Sequence, residues 1–319
     1  MGFGVNPSGR RRIFDYLDIR GEPVEIAAKR INPYLVDAPN IVIRTRHDPL
    51  CDVPQMSFGN MPADGGKLLM TETEAAELLE AEPGAEPFVL PLISAKEFLH
   101  NKKRYCLWLK GIEPKVLRSL PITYSRVEEV RTIRQKSARP HLANTPALFA
   151  QVTQEPHLPF VLVPRHSSEN RSYIPIGIFE AGNVAHDSCM VIKGATLYHF
   201  GALTSRMHMA WVRAVCGRLE SRYRYSKDIV YNNFPWPIEP SDSQKHEIEQ
   251  HAQAVFSARN LYPNNSLADL YDPLSMPIEL TNAHQALDRA IDQLYRRKPF
   301  DSDEERLELL FKRYQALTS

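Results

Sequence analysis

Apolar positions recur at helical spacing in several parts of this chain, whereas in others they form short uninterrupted runs. The helical spacing predicts helices over residues 71–81, 94–101, 125–138, 196–216, 242–259, 281–296 and 302–317. Thr71 or Thr73 can cap the first of these helices, with Glu74 three residues after Thr71, and Ser302 can cap the last. The pattern therefore predicts that about the last 75 residues of the chain are helical.

Short apolar runs bounded by polar residues and prolines predict strands over residues 40–44, 104–109, 160–164, 173–179 and 189–192. No stretch of the sequence repeats at a fixed period. The predicted fold is mixed α/β (α+β), in which a domain of short mixed strands and helices is followed by a C-terminal helical segment.

The charge is distributed unevenly. The net charge of the 319 residues is only +1, which taken alone disfavours a polyanionic partner. Residues 101–140, however, contain eleven Lys and Arg against three Glu, and residues from 241 onward contain thirteen acids against nine bases. The basic side chains in and after the helix at 125–138 are candidates for phosphate contacts, the alternative being a solvated amphipathic helix. They are Arg126, Arg131, Arg134, Lys136 and Arg139.

Several classes of protein are disfavoured by composition. No apolar run reaches the roughly 18 residues of a membrane span, and Arg10, Arg11 and Arg12 are not followed by the apolar segment of a signal peptide. We therefore expect a cytoplasmic protein that does not enter a membrane. The 4 cysteines are widely separated and form no CxxC pair, so we expect buried thiols, neither a zinc ribbon nor disulfides.

Two stretches are similar to the base-flipping loop of DNA amino-methyltransferases. In Asn232-Asn233-Phe234-Pro235-Trp236 the two prolines between the Asn and the aromatic residue are missing, and Asn32-Pro33-Tyr34 has only one. We expect neither stretch to be catalytic.

Other catalytic and cofactor patterns are incomplete. Gly65-Gly66-Lys67 lacks the leading glycine and the following Ser or Thr of a phosphate-binding loop, and it predicts a turn. His199 and His208 have no third metal ligand, and Cys106 is expected to be buried. Trp108, Trp211 and Trp236 are expected to pack internally. We therefore predict no catalytic residue, bound cofactor or metal site in this chain.

A polar loop between two predicted strands is a candidate for contacts with DNA bases. It contains Arg165, Glu169, Asn170 and Arg171. Arg binds guanine, Asn binds adenine and Glu accepts from cytosine in the major groove. The alternative is an ordinary polar loop.

Seven separated segments resemble, in order, the C-terminal part of MmeI-like (type IIL) restriction-modification proteins. They comprise residues 31–43, 58–68, 96–109, 139–146, 167–177, 197–237 and 296–314, for example SSENRSYIPIG and KDIVYNNFPWP. The resemblance implies three regions. Residues 1–25 are the edge of a methyltransferase domain, 26–240 a target-recognition domain and 241–319 a C-terminal helical domain.

The resemblance also implies function. This part of the family recognises a short duplex DNA sequence for an S-adenosylmethionine-dependent adenine-N6 methyltransferase domain, which binds its cofactor upstream in the same polypeptide. Glu169 and Arg171 correspond to base-specifying positions, with Tyr173, Asn170 and Arg165 as neighbouring candidates. The isolated chain is expected to be inactive. Two alternatives stay open: the specificity part of a nuclease-free phage-defence methyltransferase, and a partner-docking module that does not bind DNA.

Overall fold

The computed structural model describes residues 11–16 and 21–319. Within these residues the chain forms thirteen strands. They are β1 Arg11–Asp15, β2 Val24–Ala28, β3 Met56–Phe58, β4 Leu69–Thr71, β5 Val89–Ile93, β6 Arg104–Leu107, β7 Phe160–Pro164, β8 His166–Ser167, β9 Gly177–Phe179, β10 Val184–Ala185, β11 Cys189–Lys193, β12 Gly217–Leu219 and β13 Arg222–Arg224.

The same residues form ten α-helices, two 3₁₀ helices over Pro83–Phe88 and Pro140–Asn144, and one π-helical turn over Lys227–Tyr231. The α-helices are α1 Glu72–Ala81, α2 Ala95–Leu99, α3 Pro114–Arg118, α4 Pro121–Gln135, α5 Leu197–Leu203, α6 Arg206–Val215, α7 Asp242–Asn260, α8 Leu267–Leu270, α9 Ile278–Tyr295 and α10 Asp303–Thr318. None is long and apolar enough to span a membrane.

The strands form four small sheets. Two have four strands each, in the orders β10-β5-β6-β4 and β3-β11-β7-β9, and only the β10–β5 pair is parallel. β12, β13 and β8 form a three-stranded antiparallel sheet, and β1 pairs with β2. Mixed sheets with a helical C-terminus confirm the predicted fold class.

The described residues form one large apolar core and two smaller ones. The large core joins β3, β7 and β11 to helices α5, α6, α7, α9 and α10, so it contains residues from both sides of position 240. A second core lies between the β4–β6 strands and helices α1 and α4, and a small third one lies around Phe160. The C-terminal helices therefore share a core with the region that precedes them.

Most predicted elements are present, with capping as predicted in the first and the last of the predicted helices. Thr71 accepts from Glu74 N–H at 3.2 Å while the Glu74 carboxylate accepts from Thr71 N–H, and Ser302 caps α10. The predicted turn at Gly65-Gly66 is also confirmed, because both residues have positive φ and the Asp64 carboxylate accepts the Gly66 N–H.

Three predicted elements are wrong or too long. Residues 40–44 form no strand, because Ile43 N–H is bound by the Tyr34 hydroxyl at 2.8 Å and the Arg44 carbonyl accepts from Asn233 Nδ2. The strand predicted over 173–179 is reduced to β9, since Pro175 has no N–H to donate and Ile176 O is bound by Arg259. The helix at 196–216 is two helices, since Ser205 caps α6 through His208 N–H.

The predicted methyltransferase edge, residues 1–25, falls partly outside the described residues. Of it the structure describes 11–16 and 21–25, where β1 pairs antiparallel with β2. The predicted boundary near 240 lies directly before α7, which Ser241 caps with Gln244 three residues later. That boundary separates helices from the mixed region in sequence, but the large core crosses it.

Candidate nucleic-acid interface

Residues 165–173, here called the recognition loop, connect β7 to the segment that leads into β9. The loop is held at its start by main-chain bonds on both sides. Arg165 N–H donates to Ser188 O at 3.1 Å, and Arg165 O accepts from Tyr225 N–H at 2.8 Å. β8 lies inside the loop and pairs with β13. The loop therefore begins as the edge of a sheet.

The tip of the loop is a turn. Ser168 Oγ accepts from Asn170 N–H at 3.2 Å, and Ser168 O accepts from Arg171 N–H at 3.4 Å. This turn presents Asn170 to solvent and leaves Glu169 half-buried. Because this segment is a turn, the alternation of side chains along an extended strand does not apply to Glu169 and Arg171.

Arg171 is more buried than the residues on either side of it in the sequence. Its guanidinium is half-buried and Nη1 is 3.5 Å from Ser167 Oγ. Burial lowers the pKa of this guanidinium, and the Asp272 carboxylate acts in the opposite direction. An arginine stays protonated at any physiological pH, so the loop presents a fixed positive charge beside the Glu169 carboxylate.

Arg165 does not have a free guanidinium. Nη1 donates to Asp187 O at 3.0 Å, and the guanidinium lies 4.8 Å from the centre of the Phe58 ring. One donor of the guanidinium is thus occupied, while Nε is buried without a partner among the described residues. The Nη1 bond helps to fix the start of the loop, and a base contact for Arg165 stays a prediction.

Tyr173 fixes the other end of the loop. It is 8% exposed, its hydroxyl donates to Asp288 Oδ2 at 2.6 Å, and its ring stacks on His284 at 4.0 Å. Burial also raises the pKa of the Tyr173 hydroxyl. The prediction that Tyr173 contacts DNA is wrong for this geometry, because its polar end is occupied by α9.

The basic helix α4 contributes less free charge than its sequence indicates. Arg134 is 1% exposed and donates to main-chain carbonyls, among them Ala63 O at 3.0 Å and Leu148 O at 2.8 Å, so its predicted phosphate contact is wrong. The spacing of Val127, Val130 and Arg134 at i, i+3 and i+7 places all three on the inner face. That spacing is the signal that identifies Arg134 as a buried residue.

Arg126 and Arg131 are partly occupied. Arg126 Nη1 donates to Lys67 O at 3.1 Å, and Arg131 pairs with Glu128 at 3.0 Å. By contrast, Lys136 and Arg139 are exposed at and beyond the end of the helix. Phosphate contacts stay a prediction for these four side chains, and exposure favours the last two.

Much of the excess positive charge in residues 101–140 is balanced by acids elsewhere in the chain. Three ion pairs show this: Lys103 with Glu72 at 2.6 Å, Arg104 with Glu97 at 3.5 Å, and Lys110 with Glu155. The local sum of charges along the sequence therefore overstates the positive potential there.

Sequence reasoning missed a second basic element that pairs with the loop. The β12–β13 hairpin, residues 217–224, carries exposed Arg218, Arg222 and Arg224. The alternation Arg222-Tyr223-Arg224-Tyr225 is the signal that was available, because it is typical of a strand with one polar and one buried face.

The stretch that is similar to a base-flipping loop has a structural role. Asn232 Nδ2 donates to Arg46 O and His47 O, each at 2.8 Å, and Asn233 Nδ2 donates to Asp228 O at 2.8 Å. Both Asn residues are buried, and their amide groups are used in holding main-chain carbonyls.

The remaining motif residues are also packed. Trp108, Trp211 and Trp236 are 9%, 0% and 2% exposed, which confirms internal packing. His208 Nε2 lies 2.9 Å from the Tyr225 hydroxyl, and burial lowers the His208 pKa to about 3. Cys106 is buried, as predicted. In the part of the chain that the structure describes, no three His, Cys, Asp or Glu side chains converge on a metal site.

Comparison with known families shows what class of domain these elements form. A family model described as the MmeI target recognition domain matches residues 37–238, and one described as the MmeI C-terminal domain matches residues 240–319. The chain is thus a target recognition domain with its C-terminal domain. It belongs to the MmeI family, which confirms the resemblance seen in the sequence.

Two individual relatives support the same family assignment. DNA methyltransferase A of Bacillus subtilis (strain 168) is 43% identical over 291 residues, which are 90% of this chain and 33% of that protein. The solved structure of the type IIL restriction-modification enzyme MmeI in complex with DNA superposes with a TM-score of 0.89 at 41% identity, covering 99% of this chain and 42% of that one. The chain therefore spans a third to two fifths of these relatives.

Proposed function

We propose that this chain recognises a short, specific sequence in duplex DNA and presents an adenine to an S-adenosylmethionine-dependent adenine-N6 methyltransferase domain of the same polypeptide. The observation that carries the proposal is the similarity, over 99% of this chain, to a structure solved in complex with DNA. The cofactor would bind upstream of these residues, and we expect the protein in the cytoplasm.

Base contacts are proposed for the tip of the recognition loop. Glu169 can accept from a cytosine amino group, and exposed Asn170 can pair with adenine. Arg171 can reach guanine if its side chain turns away from Ser167, because a contact of 3.5 Å is a weak hydrogen bond. Phosphate contacts by Lys136 and Arg139 would fix the position of the domain on the duplex without specifying its sequence.

The partner-docking alternative is disfavoured by the packing of the C-terminal helices. Their apolar faces already contact the recognition domain through the large core, and Arg259 of α7 donates to Ile176 O at 2.8 Å. A docking module would need such a face free. The nuclease-free methyltransferase alternative uses the same DNA contacts, so it differs only outside this chain.

The test is selection of bound duplexes from a random-sequence pool at moderate salt. Wild type is compared with the double variant Glu169→Ala, Arg171→Ala and with Glu180→Ala, which removes an exposed carboxylate after β9. We expect wild type and Glu180→Ala to enrich the same short motif, and the double variant to lose preference at one or two positions while it still binds. Wild-type binding without any preference would overturn the proposal that this loop reads sequence.

A further inference from the structure

The hairpin of β12 and β13 is joined to the recognition loop by main-chain hydrogen bonds. β13 pairs with β8 so that Tyr223 lies opposite Ser167, and Arg224 lies opposite His166. β13 is fixed to the core by two buried side chains, since Tyr223 and Tyr225 are 3% and 2% exposed. The hairpin and the start of the loop therefore form one sheet.

Alternation sorts the side chains of this small sheet into two faces. Residues directly opposite each other on antiparallel strands project to the same side. Tyr223 therefore shares the buried face with Arg218, whose guanidinium lies 4.0 Å from the centre of the Tyr223 ring. Arg222 and Arg224 project from the other side, next to Leu219 and His166.

This second face is basic and open to solvent. Arg222 pairs with Glu220 at 2.6 Å, where both side chains are more than half exposed. Arg224 forms no ion pair with any acid in the described part of the chain. Burial, together with the charges of Arg165, Arg224 and Arg222, lowers the His166 pKa, as expected where positive groups converge.

We propose that the outer face of β13, with Arg222 and Arg224, grips the sugar-phosphate backbone of duplex DNA beside the groove that the recognition loop enters. This inference rests on the proposed function and identifies part of its contact surface. Alternate residues of a strand are about 6.6 Å apart, and one DNA strand carries a phosphate about every 3.4 Å of axis rise. Both guanidinium groups can therefore contact phosphates of one strand together.

The Glu220–Arg222 pair modulates this grip. An exposed ion pair is weak, so a phosphate can replace the carboxylate as the partner of Arg222. Glu220 itself would repel the same phosphate. Removal of the Glu220 charge should therefore raise the affinity for DNA, whereas removal of the arginines should lower it. The test can thus distinguish the two by the direction of the change.

The experiment measures the salt dependence of binding to a random-sequence duplex by fluorescence anisotropy. Each lost phosphate contact lowers the slope of log K against log salt by about 0.9. We expect the double variant Arg222→Ala, Arg224→Ala to lose one or two phosphate contacts, so the slope should fall by about 0.9 to 1.8. Binding at low salt should weaken at least tenfold. Glu220→Gln should tighten binding. Lys245→Ala, an exposed cation on α7, should leave the slope unchanged.

A charge-conserving variant separates backbone contacts from base contacts. Arg222→Lys, Arg224→Lys keeps the point charges but loses the fork that binds guanine, so it should retain the slope and the selected motif. Loss of the motif in this variant would overturn the assignment to phosphates. An unchanged slope in the double Ala variant, when wild type binds, would overturn this inference alone. Absence of wild-type binding at low salt would overturn the proposed function with it.

Discussion

Replacement of Arg134 by Met should destabilise the second core strongly, although the residue lies on a helix that is rich in exposed charge. Methionine replaces the apolar stem of the arginine up to about the position of Nε, but it is shorter and removes every donor. The guanidinium binds five main-chain carbonyls, those of Pro62, Ala63, Leu142, Thr145 and Leu148. It therefore ties residues 62–63 and the 3₁₀ segment after α4 to one point.

The expected loss of stability depends on which of the five carbonyls keep a hydrogen-bond partner once the guanidinium is removed. Three of the five also accept a main-chain N–H, namely Pro62, Leu142 and Thr145. Ala63 O and Leu148 O accept no other donor in the part of the chain that the structure describes. An unsatisfied buried carbonyl costs about 1–3 kcal/mol, and because Ala63 and Leu148 are only partly buried, the two together should cost about 2 kcal/mol. That is a large share of the stability of a typical domain.

The assay is urea unfolding combined with hydrogen exchange read by mass spectrometry. We expect Arg134→Met to speed exchange in residues 62–71 and 140–152, and to leave α9 protected. Arg139→Met is the matched control, because this side chain is exposed, and its effect should stay within about 0.5 kcal/mol. A loss below about 1 kcal/mol for Arg134→Met would refute the reasoning, since it would mean that the carbonyls find water without cost.

Three further predictions test other parts of the fold. Asn233→Ala removes a buried amide that binds three carbonyls. We expect the free energy of unfolding in urea to fall by about 2–4 kcal/mol. Asn232→Ala should have a similar effect, whereas Asn183→Ala, on an exposed turn, should be near neutral. Gly59→Ala places a Cβ 2.2 Å from His186 O, so the midpoint of thermal unfolding should fall, and an unchanged midpoint would contradict the close approach. Burial raises the Asp288 pKa to about 6, above its unfolded value of about 3.9. Wild type should therefore lose about 2 kcal/mol relative to Asp288→Asn as pH rises from about 4 to 7, and a difference that does not vary with pH would contradict this.

Local signals in the sequence predicted the capped helices well. Thr71 with Glu74 three residues later forms the expected capping box, and Ser302 caps α10, because a cap needs only neighbours within one turn. The apolar face of residues 206–215 is buried as its spacing indicates. Elements whose hydrogen bonds close within a few residues can be predicted from the sequence alone.

Elements that depend on distant partners could not be predicted. Residues 40–44 have the composition of a strand, but the carbonyl of Arg44 is bound by Asn233, 189 residues away. Tyr173 is as buried as a core residue because it contacts Asp288 and His284 of α9. No pattern within a window of the sequence contains these pairings.

The geometry of the recognition loop explains how its sequence can vary without loss of the fold. Its start is fixed by Arg165 on Asp187, and its end by Tyr173 on Asp288, while Arg213 of α6 donates to Ser172 O at 3.1 Å. Residues 169 and 170 lie between these anchors in a turn whose bonds come from Ser168 and the main chain. Their side chains therefore contribute little to stability. Under the proposed function, substitution there would change which bases are contacted, whereas substitution at the anchors would move the loop. Because one anchor belongs to α9, the C-terminal domain holds the recognition loop in position, and a loop transferred to another protein would need that helix with it.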